Sequence, residues 1–464
     1  MQPIIPLFIL GFKMKHKINV IGTFILVLLC SSLYIISEKK VISESEKRVL
    51  TTLPRFSWKT YFNADFMKEH EKHINDHFPF RKSLILFAGK IRQNMGVQRK
   101  NSVKIVVVDP VPKNTPDVAD SSYSKNYLDD FQEAYSGSML ILDGCVYTLN
   151  SGNPSVSPIF AKMINYYAHL LQGRTRVFSC VAPLSSGFIP VKNYQKYNTR
   201  NRKTLEAIRS SLDSNAYFAD VMTEMDQHFN EKLWFGSDHH WTGLGAYYGY
   251  VAYCRSAGIA PVPISQMRKV VRFPFLGSLY ELTRDNSVRQ KPDSLILYIP
   301  PNISTEAVRY NPYDFKYPIK ISVFSGNKDY TAFLSGDAPL IKIKTSVKNG
   351  RRAAVVKNSM GNAFAVYLIS HYEEIYVFDF RYSKHNILTI IQDAEINDLI
   401  FAVGMYGAMN PGTIRMMKNL STHPAQDYDL VRKAALEKSR ADSLQKLTDS
   451  ISGVQLMDST GSVQ

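Results

Sequence analysis

Two short segments carry residues that together could run acyl chemistry. One is Gly236-Ser237-Asp238-His239-His240-Trp241-Thr242, and the other is Lys357-Asn358-Ser359-Met360-Gly361-Asn362-Ala363. Acyl transfer through a serine needs an exposed hydroxyl, a base that takes its proton, and a carboxylate that orients the base. A serine at a sharp strand-to-helix turn meets the first need, and the helix N-terminus beside it offers backbone N–H groups to an oxyanion. Asp238 and His240 meet the other two. In an extended stretch, residues two apart project to the same side. Ser359, His240 and Asp238 are therefore the candidate catalytic residues. Asn362 and Gly361 are candidates for oxyanion contacts, and Asn362 reads equally well as a cap of the following helix. Trp241 reads as a wall beside the histidine or as a sugar platform, and His239 as a supporting residue. Arg381 and Tyr382 follow a strand end, where α/β sites form, and are candidate substrate contacts.

The elements around these segments read as α/β. VFSCVAP (177–183) is an apolar strand, a helix covers Arg202–Leu212, and Tyr217–Asp220 is a second strand. A further helix precedes them from Pro158 to Leu171. The rhythm returns with strand AAVVK (353–357), the turn bearing Ser359, and a helix over AFAVYLIS (363–370). Strand EIYVFD (374–379), helix ILTIIQDA and strand DLIFAVG (398–404) follow. Strands alternating with helices imply a mostly parallel sheet. Residues 265–350 differ, with short alternating segments and turn signals at Asp285-Asn286, Gly326-Asn327 and Gly336-Asp337. They read as a β-rich insertion. MLILDGCVYTLN reads as a hairpin turning at Asp143-Gly144. The domains expected are 1–40, a basic segment and anchor; 41–135, a helical region and linker; 136–420, the α/β body; and 421–464, a polar, partly disordered tail.

Composition narrows the setting. The chain has 464 residues, 45% hydrophobic and 12% aromatic, enough to bury a sizeable core. Its net charge of +16 is spread along the chain, with no nucleic-acid module, so nucleic acid is not expected as a partner. Cys30, Cys145, Cys180 and Cys254 form no C-x-x-C pair, which excludes a zinc ribbon or thioredoxin-like motif. They read as free thiols, with one disulfide open if the compartment is oxidising. Lys13, Lys15 and Lys17 precede the charge-free run 18–36, about the ~20 residues that a bilayer crossing needs. Positive residues ahead of the run place the N-terminus inside. The expectation is an uncleaved single-pass anchor in the cell membrane, with the body on the periplasmic side.

The two segments also carry a resemblance. Ser-Asp-His-His-Trp-Thr, followed by Gly243-Leu244-Gly245-Ala246-Tyr247-Tyr248, resembles the namesake motif of the DHHW proteins. Lys357 through Ala363 resembles that family's K-D-S-Y-G-N-A, with Asn358 in place of Asp and Met360 in place of an aromatic. Glu44-Ser45-Glu46-Lys47-Arg48 and Asp76-His77-Phe78-Pro79-Phe80-Arg81 resemble N-terminal motifs shared with periplasmic alginate O-acetyltransferases, and Gly336-Asp337 fits as well. The resemblance covers about residues 40–420. It implies an SGNH-hydrolase-like three-layer domain in which Asp238 orients His240 and His240 activates Ser359. It also implies an O-acetyltransferase or esterase of exopolysaccharide, with a polysaccharide acceptor, a membrane acyl-carrier partner, and no cofactor or metal. Two rivals stand beside it. One is a non-catalytic polysaccharide-binding scaffold of an export complex. The other is a metal-dependent phosphoesterase, because Asp-His-His also occurs in the DHH phosphoesterases. No upstream Asp- and His-bearing motifs with two-metal spacing accompany it here.

Overall fold

Apolar strands alternating with helical segments can bury a sheet on both faces, and this sheet is the foundation of the protein. The computed structural model describes residues 5–37, 39, 42–43, 48–63, 65–81, 83–84, 87, 91, 104–108 and 137–424. Residues 44–47 of the first N-terminal motif, most of an expected helix over 83–94, most of 101–135 and the tail beyond 424 lie outside the described residues. The chain divides into two compact units. One comprises 1–100, 111–120 and 284–286, and the other comprises 101–110, 121–283 and 287–464.

In the first unit a helix runs through Ile5–Ile36. Among the described residues no helix is long and apolar enough to cross a membrane. Side chains of this helix are described from Ile21 onward, and the charge-free run begins at Ile18. The helical spacing of Phe66, His70, His73 and Ile74 is matched by a helix over Asp65–His77. Asp76 near its end accepts from Thr51 N (2.9 Å) and Thr51 Oγ1 (2.8 Å), while His73 Nδ1 meets Thr51 O at 2.6 Å. These histidines hold structure.

The second unit is built on an eight-stranded sheet. Its strands are β1 (Arg176–Ala182), β2 (Ala216–Ala219), β3 (Thr305–Tyr310), β4 (Ile319–Ile321), β5 (Leu340–Thr345), β6 (Arg352–Lys357), β7 (Glu374–Asp379) and β8 (Asp398–Gly404). Their order is β4-β3-β5-β7-β6-β8-β1-β2. The block β7-β6-β8-β1-β2 is parallel throughout. The block β4-β3-β5-β7 is antiparallel. Within residues 265–350, expected as a β-rich insertion, β3, β4 and β5 extend the central sheet. Leu340, Ile341 and Ile343 are buried and pair with β7, so the apolar sheet continues across what would otherwise be an open edge. The pair Arg268–Phe275 and Asp293–Ile299 forms a two-stranded sheet of its own.

Helices cover both faces. Phe178 of β1 packs on Tyr253 of helix Gly243–Ala257, with ring centroids 5.1 Å apart. Ile400 of β8 shares Phe178's row, so its neighbour Phe401 points to the opposite face. There Phe401 meets Tyr167 of helix Ser157–Leu170 at 5.2 Å. Strands wrapped on both sides read as continuous apolar runs, which is why they were visible in sequence. Each such side chain stabilises by ~1.5–3 kcal/mol on full burial. The helix expected over Arg202–Leu212 starts earlier, at Gln195, on polar residues that hide the helical period. The hairpin at Asp143-Gly144 is present, with Leu142 opposite Cys145. All four cysteines are free thiols.

At the amino edge of the parallel block, Asp398 is fully buried. It accepts from Arg176 Nε (2.7 Å), Arg351 Nη2 (2.6 Å) and Tyr372 Oη (2.6 Å). Asp398→Ala is expected to lower unfolding free energy by ~2 kcal/mol in denaturant titration. The cost stays below that of breaking a fully buried pair, because the arginine side chains are 36% and 32% exposed and can be hydrated.

Candidate active site

Residues far apart in sequence meet at the carboxyl edge of the parallel block. Strand β6 is buried from Ala353 through Lys357, and its chain turns at Asn358-Ser359 into the short helix Met360–Ala365. The turn packs so tightly that a β-carbon on Gly361 would lie 2.4 Å from Lys357 Cβ and 2.7 Å from Ala402 O. Asn358 Oδ1 accepts from Gly404 N at 3.2 Å and ties the turn to the end of β8. An aspartate could accept the same bond, so the departure from the family motif leaves this tie intact.

The second segment is clamped from several sides. Asp293, 1% exposed, accepts from Gly236 N (3.0 Å), Ser237 N (2.7 Å) and Ser237 Oγ (2.6 Å). After it, Thr242 caps helix Gly243–Ala257 by accepting from Gly245 N at 3.1 Å. The segment joins the serine turn through one carbonyl. Met360 O accepts from Trp241 Nε1 at 2.9 Å and from Tyr330 Oη at 3.4 Å. Residue 360 thus contributes its backbone, which explains why methionine can stand where the family has an aromatic. Trp241 is 1% exposed, so it is a buried wall and not a sugar platform.

Within this frame Asp238, His240 and Ser359 form one chain of hydrogen bonds. His240 Nδ1 lies 2.6 Å from Asp238 Oδ1, and His240 Nε2 lies 2.8 Å from Ser359 Oγ across 119 residues of sequence. A carboxylate only accepts, so Nδ1 carries the proton and Nε2 is left to accept from the serine hydroxyl. Asp238 and His240 are 6% and 5% exposed, and Ser359 is half-buried. The other carboxylate oxygen of Asp238 accepts from Ser278 N (2.8 Å) and Ser278 Oγ (3.0 Å). Gly277 makes that cradle possible, because a β-carbon there would sit 2.1 Å from Asp238 Oδ2. His239 Nδ1 lies 2.7 Å from Ser278 Oγ, so His239 braces the cradle. Tyr330 lies flat on the His240 ring, with centroids 3.8 Å apart and planes at 11°. Burial alone would raise the Asp238 carboxyl. The neighbouring His240 and His239 and the hydrogen bonds to His240 and Ser278 outweigh it, and hold the group well below the usual carboxylate range.

Beneath the serine turn lies a charge-neutral quartet. Lys357, fully buried, donates to Asp337 Oδ1 and Asp379 Oδ2, each at 2.7 Å. Arg381 Nη2 contacts Asp379 Oδ2 (2.7 Å) and Asp337 Oδ2 (2.9 Å). Burial would raise the Asp337 carboxyl, but Lys357 and Arg381 hold it well below its ordinary range. Here the structure departs from the sequence reading. Arg381 is 4% exposed and bonded within this cluster, and Tyr382 is 6% exposed with its ring centroid 5.0 Å from the Arg381 guanidinium, so neither side chain lies open at the surface. Asn362 stands inside its helix, which has no side-chain cap bond. Its Nδ2 donates to Asp337 Oδ1 at 2.8 Å, and its buried Oδ1 has no hydrogen-bond partner. The Gly361 N–H is likewise committed, to Asn358 O at 2.9 Å.

Sequence reasoning missed Asp293, Ser278, Tyr330, Lys357 and Asp379. Two of them left a signal. Lys357 and Asp379 each follow a four-residue apolar run at the end of a strand and are register partners. The other three come from the segment between the motifs, whose path no pattern gave. Asp238, His239 and His240 could each offer a metal one ligand atom within 4.8 Å of the others. Their arrangement fits a metal poorly. His240 already uses both nitrogens toward Asp238 and Ser359, and His239 Nδ1 is engaged by Ser278.

The depressed carboxyls make a pH prediction. A lowered folded pKa contributes stability that is full above about pH 4, the unfolded value, and is lost as pH falls toward the folded value. Asp238→Asn and Asp337→Asn should each unfold at lower denaturant than the parent at neutral pH. The gap should narrow as pH drops below about 4.

With this geometry in hand, the likenesses to other proteins fall into place. No curated protein matches the chain. Among solved structures, a DHHW family protein from Eubacterium siraeum is 28% identical, with a TM-score of 0.55, covering 62% of this chain and 96% of that one. Bacillus cereus PatB1 with a sulfonyl adduct is 16% identical, with a TM-score of 0.49, covering 60% and 99%. The O-acetyltransferase domain of Pseudomonas putida AlgJ is 13% identical, with a TM-score of 0.31, covering 61% and 96%. The last two likenesses are too distant to carry an argument. The DHHW family model matches residues 115–378, a stretch that holds both motifs and the whole hydrogen-bonded chain from Asp238 to Ser359, and the protein belongs to the DHHW family.

Proposed function

We propose that the protein is an acyl, specifically acetyl, transferase or esterase that acts on a polysaccharide through Ser359, His240 and Asp238. One observation carries this reading: Ser359 Oγ, His240 and Asp238 are linked at 2.8 and 2.6 Å in the order that nucleophilic catalysis uses. In the first half-reaction Ser359 Oγ bonds to the acyl carbon and its proton passes to His240 Nε2. That proton then leaves with the departing oxygen or sulfur of the donor, and the acyl group stays on Ser359. In the second half-reaction a sugar hydroxyl, or water, gives its proton to His240 Nε2 and bonds to the acyl carbon, and the bond from that carbon to Ser359 Oγ breaks as His240 returns the proton to Oγ. Asp238 supports the imidazolium in both halves, and the buried face of Tyr330 keeps the ring in line. The acyl donor must be an activated ester or thioester, delivered by a membrane acyl-carrier partner in the reading that the family resemblance suggests.

The chemistry is testable with the protein in detergent. It should release a chromogenic alcohol from an acetyl ester. Ser359→Ala and His240→Ala should each lower that rate ~10³-fold or more. Chelators should leave it unchanged, and Asn358→Asp should preserve or raise it. Equal hydrolysis by Ser359→Ala and the parent would support the scaffold reading.

The same reading places the body outside the cytoplasm, held by an anchor over residues 18–36. The charge-free run behind Lys13, Lys15 and Lys17 supports this orientation. Protease added to spheroplasts should digest the body. Full protection would refute the orientation.

A further inference from the structure

We propose that Lys192, Lys196, Arg200 and Lys203 form a docking stripe for the chain of an anionic polysaccharide. The proposal deepens the acyl-transfer reading, on which it rests for its purpose, by naming the charge class of the acceptor. Basic residues occur throughout the sequence, but acidic ones do not: no Asp or Glu stands between Asp143 and Glu206. Lys192 opens a short 3₁₀ helix, Lys192–Tyr194, that leads into helix Gln195–Arg209. Lys196, Arg200 and Lys203 follow at helical spacing, which places them on one face. All four residues are exposed. The buried face of the helix carries Asn201, Thr204, Leu205 and Ile208 instead.

The acids of the segment after β2 are already matched. Asp226 pairs with Arg202, Glu224 with Arg255, and Asp220 lies 3.9 Å from Arg209. Among the described residues no carboxylate pairs with Lys192, Lys196, Arg200 or Lys203. Arg200 Nε donates to Gly152 O at 2.7 Å, and Lys196 Nζ lies 5.2 Å from the centroid of the Tyr197 ring, which stacks on Tyr194. Neither contact neutralises a charge. Glu206, one turn past Lys203, ends the stripe.

The stripe starts beside the candidate site. Lys357, Ala402 and Cys180 share one row across β6, β8 and β1. Ser359 and Ala182 each stand two residues past that row, so two strand spacings, ~10 Å, separate them at the carboxyl edge. The loop after Ala182 is fastened to the inner face of the helix. Asn201 Oδ1 accepts from Leu184 N at 2.9 Å, Asn201 Nδ2 donates to Ser186 Oγ at 3.3 Å, and Asn198 Nδ2 donates to Gly187 O. From Lys196 to Lys203 the stripe extends ~10 Å along the helix axis. A ligand that reaches from Ser359 to its far end must be an oligomer. A row of unmatched cations concentrates a polymer of repeated negative charge. Lysine ammoniums on flexible stems suit such a polymer, whose charges do not present one fixed fork. A lipid surface fits less well, because it rewards apolar side chains beside the cations. From Ser185 to Arg209 no large hydrophobic side chain is exposed.

The test is isothermal titration of the full chain in a non-ionic detergent. The probes are a hexasaccharide of a polyuronate, a hexasaccharide of a neutral N-acetylated glucan, and dihexanoyl phosphatidylserine as a soluble anionic lipid. The parent should bind the uronate roughly tenfold more tightly than the neutral glucan, and that preference should fade as salt rises from ~0.1 to ~0.5 M. Lys192→Gln, Lys196→Gln and Lys203→Gln combined should weaken uronate binding roughly tenfold. The triple variant should keep the parental unfolding midpoint, because glutamine preserves helix propensity. Lys196→Glu alone should also weaken uronate binding, and serves if the triple variant fails to fold. Equal uronate binding by parent and variants, equal affinity of the parent for the two hexasaccharides, no uronate binding at all, or lysine-dependent binding of the lipid alone overturns the stripe. Ser359→Ala should bind the uronate as the parent does, which separates binding from chemistry. Lysine-dependent uronate binding by a protein that hydrolyses no ester would keep the stripe and overturn the acyl chemistry. Ester hydrolysis that needs Ser359, with uronate binding unmoved by the lysine changes, would keep the acyl chemistry and overturn the stripe.

Discussion

Lys357 is an ammonium with no exposure to water, and the candidate site depends on how that charge is met. A lone buried ammonium would be far too costly to keep. It is met by Asp337 and Asp379, whose own excess charge is met by Arg381. The four groups come from the approach to β5, the ends of β6 and β7, and the loop after β7. Satisfying the lysine therefore fixes the carboxyl edge of three adjacent strands. Ser359 stands two residues beyond Lys357, and the loop that carries Lys384 and His385 stands just beyond Arg381. A buried quartet of this kind contributes little net stability, because desolvation offsets most of the attraction. What it supplies is a single allowed arrangement of the edge.

A second constraint joins the histidine segment to that edge. Met360 O takes hydrogen bonds from Trp241 and Tyr330, so the residue after Ser359 is bound to the residue after His240 and to the ring lying on His240. The carboxylate is held from behind by Ser278, and the segment's start by Asp293. Each group in the relay thus has its own support. This is how the serine is held 2.8 Å from the imidazole.

How much of this was legible in the sequence follows from what each element depends on. The parallel strands were readable because burial on both faces makes them unbroken apolar runs, as in EIYVFD and DLIFAVG. The serine and the Asp-x-His pair were readable because their chemistry demands those residue types at that spacing. The course of residues 265–350 was not readable as part of the central sheet. Strands such as β3 and β5 alternate because of how they pair in space, and alternation does not name the partner. Tyr330, Ser278 and Asp293 were hidden for the same reason. Arg381 reads as a substrate contact because it follows a strand end, and Asn362 reads as an oxyanion contact or a helix cap. Their hydrogen bonds go inward, to Asp379 and Asp337.

The proposed chemistry requires Ser359 to be a nucleophile activated by His240. Mass spectrometry of the intact protein after a serine-directed fluorophosphonate, with peptide mapping of the adduct, tests it most directly. One adduct is expected, on Ser359, formed quickly in the parent and lost in His240→Ala. No adduct, an adduct on another serine, or equal labelling of Ser359 in the His240→Ala protein would contradict it.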